Sequence, residues 1–320
     1  MQGASNGSDR ASMKIFQSLS AHRAFALLAL VVLAWGTSWP VTKMVVREMS
    51  PLWSTALRCA IAAAALALLL WARGEFIIPK RGDLPVVLST SLLHMVAYSA
   101  LVAAGLQFVP AGRAIVLGYT TPLWVAIGAR LLLSEEVTKK RAVGICSGLA
   151  GLAVIFNPGT LEWGDRNALI GSGLILLAAV CWAANIVYVR AHKWISTPFQ
   201  LVFWQVFLAA GILSTVAMLT DGVPRIAWTI HLVALLLFSA LVCTALAHWA
   251  MAIVNRSLPA VTTSLGLLVT PVFGMISATV VLSERLEPLL ILALALIVGG
   301  IALGTVGDIR ATRTTVPAKL

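Results

Sequence analysis

Two stretches of this chain, 109–135 and 258–284, repeat one another at a fixed spacing of 149 residues. Pro110 pairs with Pro259, Ala111 with Ala260, Thr121 with Thr270 and Pro122 with Pro271, and Leu133-Ser134-Glu135 returns as Leu282-Ser283-Glu284. A chain that holds one half twice is confined to folds made by duplication. In an apolar chain this points to a transporter built from repeats.

Apolar residues make up 60% of the sequence and charged ones 11%, with the charges gathered between long apolar runs. Such a chain cannot surround itself with a polar shell, so it is read as an integral membrane protein. Crossing about 30 Å of hydrocarbon takes roughly 20 helical residues. Runs of about that length fall at 24–46, 52–71, 84–109, 111–133 and 142–156, then at 169–189, 198–219, 228–254, 259–282 and 288–306. They are continuously apolar, whereas barrel strands alternate, so the expected class is all-α with ten transmembrane helices.

Five crossings per copy leave the chain on the opposite side of the membrane, so the second copy must run upside down. The expected architecture is two inverted five-helix repeats. Charge agrees with this: Ser134-Glu135 is followed by Lys139-Lys140-Arg141, while Ser283-Glu284 is followed by Leu286-Glu287-Pro288. The early helices also correspond, at a spacing of 147, through Trp35 and Trp182, Lys43 and Arg190, and Pro51 and Pro198. The expected division is a tail at 1–23, a first repeat at 24–156, a linker at 157–167, a second repeat at 168–306 and a tail at 307–320, polar and disordered after Asp308. Most of the 23 lysines and arginines lie on the side that holds both termini, which makes the termini cytoplasmic.

The net charge of +11 records this topology and attraction to anionic lipid, and calls for no nucleic acid. Cys59, Cys146, Cys181 and Cys243 all fall in expected spans, where thiols act as small apolar groups. No metal site, cofactor or nucleotide motif is indicated. The first apolar run follows a basic segment as in a signal peptide, but nine further spans favour a retained helix.

Every acidic residue lies in a terminus or between helices, which argues against a cation exporter built on a buried carboxylate and against metal-diphosphate enzymes. The polar groups inside the spans are His94, Tyr98, Gln107, Tyr119, Asn185, Gln205, Thr244 and His248. His94 and Tyr98 are four residues apart, as are Thr244 and His248, so each pair shares a helix face. With Trp35 and Trp182, the residues His94, Tyr98, Tyr119, Asn185, Gln205, Thr244 and His248 form the expected substrate cavity. The histidines are the intramembrane groups able to titrate near neutrality, which makes them the carriers of a proton if transport is proton-coupled.

Arg58 sits inside the second span, free to snorkel or to meet a substrate carboxylate. Arg130, near a helix end, is read as snorkelling, and Lys43 and Arg190 as interface anchors. Pro122 and Pro271 are expected inside the fourth and ninth helices as paired bends or hinges. Pro110 and Pro259 are expected at the starts of those helices. Gly144, Gly148 and Gly151 in the first copy, with Gly299, Gly300 and Gly304 in the second, indicate close packing through small residues.

Trp35-Gly36-Thr37-Ser38 with Pro40 and Lys43, Pro51 with Arg58, Pro110-Ala111-Gly112 leading to Thr121-Pro122, and the two Ser-Glu sites together resemble the EamA-type branch of the drug/metabolite transporter superfamily. The resemblance covers about 24–306. It implies a ten-helix carrier that moves small metabolites, often amino acids or related compounds, out of bacterial cells, with helices 1–4 and 6–9 around the cavity. This chain departs from common members in carrying serine where glycine often precedes the glutamate.

The expected function is thus a secondary carrier in the bacterial inner membrane, exporting an amino acid or related compound by alternating access as a monomer or homodimer. Its partners are a small-molecule substrate, the lipid bilayer and, where coupled, a proton. A sugar or nucleotide-sugar carrier of the same superfamily is the alternative within transport. A membrane-embedded enzyme is the alternative outside it, although no acid/base or nucleophile constellation is visible.

Overall fold

A computed structural model describes residues 21–134, 138–156, 165–192, 195–258 and 260–315, and the side chains of all of these except 21, 256, 260–261 and 306–315. The expected N-terminal tail up to residue 20, most of the linker, Glu135 and Pro259 lie outside the described residues. The helices are α1 Ala21–Glu48, α2 Pro51–Ala72, α3 Arg81–Gly105, α4 Ala111–Leu132 and α5 Lys139–Ile155. The second half holds α6 Arg166–Ala191, α7 Pro198–Thr220, α8 at 230–257, α9 at 260–282 and α10 Pro288–Thr315. Among the described residues nine of these are long and apolar enough to cross a membrane, and α5, at 17 residues, is the short tenth. One expectation fails at the C-terminus: the helix continues to Thr315, because its hydrogen bonds are local and Arg310, Ala311 and Arg313 favour it against the weaker threonines.

Local chemistry sets the ends. Ser50, Thr138, Asp165 and Thr197 each cap the helix that follows by accepting a backbone N–H, and Thr197 forms a reciprocal capping box with Gln200. Pro40 lies within α1 and releases the Gly36 carbonyl from its helical bond; the Ser277 hydroxyl of α9, which is 2.8 Å from Gly274 O of its own helix, lies 3.3 Å from that oxygen.

Two pairs of irregularities recur in both repeats. Helices α4 and α9 are each broken, α4 into Ala111–Gly118 and Thr121–Leu132, α9 into Ala260–Leu267 and Val269–Leu282. Pro122 and Pro271 therefore stand in the first turn of a second segment and not inside a continuous helix. There the missing N–H removes no bond from the segment itself, and the ring prevents the preceding segment from running through. Helices α3 and α8 widen into nine-residue π-helical segments, Thr90–Tyr98 and Phe238–Leu246. Single-turn π-bulges inside α-helices gather at functional sites, and here each wide turn adjoins a histidine.

The packing displays the inversion. Helix α1 lies against α8 and α9, and its twin α6 lies against α3 and α4. The self-paired helices α2 and α7 meet each other, as do α5 and α10. In the α5–α10 crossing Gly144 rests on Gly300, and Gly151 rests on Ala293, whose carbonyl would lie 2.8 Å from an added Cβ. The spacing of 149 carries one of these contacts onto the other. Ser147 donates to Leu296 O at 2.9 Å between them, on the pseudo-twofold axis.

The Ser-Glu sites match as well. Ser134 and Ser283 have φ of 54° and 55°, among the described residues the two non-glycine positions in left-handed backbone. The frequent glycine of the resembling family is thus explained by conformation: this chain keeps the turn and accepts about 1 kcal/mol of strain at each serine.

Candidate functional site

Five of the expected cavity residues converge. His94 of α3 stacks on Trp182 of α6, ring centroids 5.2 Å apart and planes 5° from parallel, and Tyr98 packs on the same indole at 5.1 Å. His248 of α8 meets Trp35 of α1 edge-on at 5.9 Å, and the two histidines stand 6.4 Å apart. Each repeat's tryptophan therefore packs against a histidine of the other repeat, joining α1 to α8 and α6 to α3. His248 Nδ1 lies 2.7 Å from Thr244 O, and since a carbonyl only accepts, that nitrogen carries a proton and donates.

Towards the ends of α1 and α3 and the starts of α2 and α8, which is the face opposite the termini, lies a cavity of about 70 Å³. Tyr98 links it to the ring cluster. Its walls are Ser38, Trp39, Thr42 and Val45 of α1, Ser54, Thr55 and Arg58 of α2, Tyr98, Ser99 and Val102 of α3, and Leu236 and Ser239 of α8. Arg58 is half-buried and, among the described residues, has no hydrogen-bond or ion-pair partner, while no carboxylate lines the cavity. An unanswered guanidinium in such a setting is a site for an anionic group.

Beside the cavity, a second charged group closes the same end of the molecule. Glu284 accepts from Ala111 N at 2.8 Å and Gly112 N at 3.0 Å, capping α4 with a carboxylate, and pairs with Lys43 at 3.3 Å. Lys43 also donates to Val109 O at 2.6 Å. The helix dipole and the ammonium act on one carboxylate. Lys43, expected as an interface anchor, is instead 88% covered in this tie, its side chain only 12% exposed, because the α3–α4 turn offers it a carbonyl.

The remaining expected residues stand apart from the cavity lining. Asn185 is buried and accepts from Ser89 Oγ at 3.0 Å. Gln205 is buried in α7, and Thr244 donates to Ser239 O inside its own helix at 2.9 Å. Tyr119 closes the first segment of α4 and packs against the core of Ala114–Leu117, and Arg130 is exposed. Sequence reasoning missed the hydroxyls Ser38, Thr42, Ser54 and Thr55. Their spacing is the available signal: Ser38 and Thr42 are four apart, and Ser54 and Thr55 precede Arg58 by one turn, so each set shares a helix face.

Ten helices in two inverted copies, with polar groups converging between them, define a membrane transporter of the drug/metabolite type. Residues 22–157 and 169–306 match the EamA-like transporter family, and the chain belongs to it. It is 29% identical over 276 residues to the uncharacterized transporter YoaV of Bacillus subtilis, covering 86% of this chain and 94% of that protein. It is also 29% identical over 288 residues to the uncharacterized inner membrane transporter YedA of Escherichia coli K12, covering 88% and 90%. A solved crystal structure superposes with a TM-score of 0.64 at 20% identity, over 93% of this chain and 100% of that one, which shows the shared fold.

Proposed function

We propose that this chain is a secondary carrier that exports a small polar metabolite, an amino acid or related compound, by alternating access. The observation that carries this reading is the cavity with a free guanidinium, a hydroxyl-rich wall and no acid. A cation would find no counter-charge there, whereas a carboxylate finds Arg58. The lysine and arginine distribution supports cytoplasmic termini; with that orientation the cavity lies in the external half of the membrane and the ring cluster is the barrier on its cytoplasmic side. Breaks at Tyr119-Thr120 and Leu268, next to Pro122 and Pro271, serve as paired hinges.

The test is flux of a radiolabelled metabolite panel in proteoliposomes holding the purified chain. Catalysed, saturable flux of a carboxylate-bearing solute is expected; its absence across a broad panel would contradict the reading. Proton coupling runs through His94 and His248, whose joint replacement by Gln is expected to flatten the pH dependence of flux. An unchanged pH profile removes the proton from the mechanism.

A further inference from the structure

We infer that the outside of the α2–α7 crossing binds one anionic phospholipid of the leaflet on the side of the termini. Its acyl chain lies in a groove between the two helices and its headgroup rests on Lys80 and Arg81. The inference needs only a chain that spans a membrane and is separate from the carrier reading. The groove has a volume of about 830 Å³. On α2 the small side chains of Ala60, Ala63, Ala64 and Ala67 leave the room, and on α7 Phe203 and Phe207 wall it. Gly211 of α7 extends it, with nothing within 4 Å of the place a Cβ would take.

Ala60, Ala64, Phe207 and Gly211 are exposed within the spans, where the solvent is acyl chain. Every α7 residue that lines the groove from Phe203 to Ile212 is apolar. At the helical rise that stretch is about 14 Å long, and the hydrocarbon of one leaflet is about 15 Å thick. The polar groups of the wall, Ser214 and Thr215, begin beyond it, and Thr215 spends its hydrogen on Gly211 O at 2.9 Å. The groove therefore matches one chain of the leaflet on the side of the termini.

Charge decides which end takes the headgroup. On the side of the termini the α2–α3 connection is strapped across the start of α7. Trp204 Nε1 donates to Ile77 O at 2.7 Å, and Phe76 packs on Phe203 and Trp204 with ring centroids 5.1 and 5.8 Å away. Phe76 thus stands at the end of the groove, and Lys80 and Arg81 follow it in the same connection. The acids of that connection are engaged. Glu75 pairs with Arg73 at 3.0 Å, and buried Asp83 accepts from Ile195 N, Ser196 N and Ser196 Oγ at 2.9, 3.2 and 2.8 Å. Lys80 and Arg81 are exposed and, among the described residues, have no side-chain partner. Ile78 beside them is 80% exposed, the arrangement of an interfacial anchor next to a basic pair. At the opposite face α7 ends on Asp221, with Arg225 following, which together offer a phosphate no net charge.

The experiment is native mass spectrometry of the purified full chain, titrated with phosphatidylglycerol, phosphatidylcholine of matched chains, and glycerol 3-phosphate. One phosphatidylglycerol is expected to be retained at a concentration at least about tenfold below phosphatidylcholine, and glycerol 3-phosphate, which lacks the acyl chain, is expected not to be retained. Lys80→Gln/Arg81→Gln should bring the two lipids within about twofold of each other. Lys139→Gln/Lys140→Gln, at an exposed basic pair on the same face, should leave the preference within about twofold of that of the unaltered chain. Gly211→Phe, which fills the groove, should weaken both lipids about tenfold. If that variant does not fold, phosphatidylglycerol with a diazirine in its acyl chain should label the unaltered chain within 60–67 and 203–212. Equal retention of the two lipids, or equal losses from the two basic pairs, would mean diffuse attraction and overturn the site. Retention of glycerol 3-phosphate as tight as that of the lipid, labelling elsewhere, or a lipid-free dimer broken by Gly211→Phe would overturn it too.

Discussion

Ser38, Thr42, Ser54, Thr55 and Arg58 line one face of the first repeat, while the second repeat places Asn185, Val189, Leu201, Val202 and Gln205 at the same positions. The mechanical parts show no such difference. Both copies have a broken fourth helix, a π-helical segment in the third, a left-handed serine at its end and a tryptophan against a histidine. On the proposed reading, duplication supplied the hinges twice and the recognising chemistry once. A carrier of this kind needs symmetry for exchange between its two faces and gains nothing from symmetry in its binding groups.

The comparison predicts where the repeats must behave alike. The largest effect is expected at the self-paired crossing: Gly144→Leu and Gly151→Leu should each lower stability by about 3 kcal/mol, since each side chain would meet backbone of α10. SDS-driven unfolding in mixed micelles measures this, and a loss at one glycine only would break the symmetry. Next is Glu284→Gln, which removes the charge that caps α4 and pairs Lys43, with an expected loss of about 2 kcal/mol. The repeat predicts a similar loss for Glu135→Gln, and a negligible one would confine the tie to the face opposite the termini. Smallest are Ser134→Gly and Ser283→Gly, each expected to raise stability by about 0.5 kcal/mol by relieving left-handed backbone.

Much of this was legible in the sequence, for reasons that differ by element. The spans follow from long apolar runs, and the inversion follows from an odd number of spans per copy. Trp35, Trp182 and the His94–Tyr98 pair could be found because helical periodicity and the repeat both point to them. The π-helical segments gave no warning, since Thr90–Tyr98 and Phe238–Leu246 are ordinary apolar sequences whose widening depends on neighbours. Glu284 was visible as half of a motif, but its partners lie 172 and 173 residues away, beyond any local pattern. The grouping of Ser38 and Thr42 with Ser54, Thr55 and Arg58 depends on how α1 and α2 come together, which no local pattern gives.

The most direct test compares the two equivalent positions, Arg58 and Gln205, in one transport assay. Initial rates of L-alanine and L-serine flux in proteoliposomes would be measured for the unaltered chain, Arg58→Gln and Gln205→Leu. The account predicts at least about a tenfold loss for Arg58→Gln and a change within about twofold for Gln205→Leu. Equal losses at the two positions, or a larger loss at Gln205, would contradict a carrier whose motion is shared by both repeats and whose recognition belongs to the first.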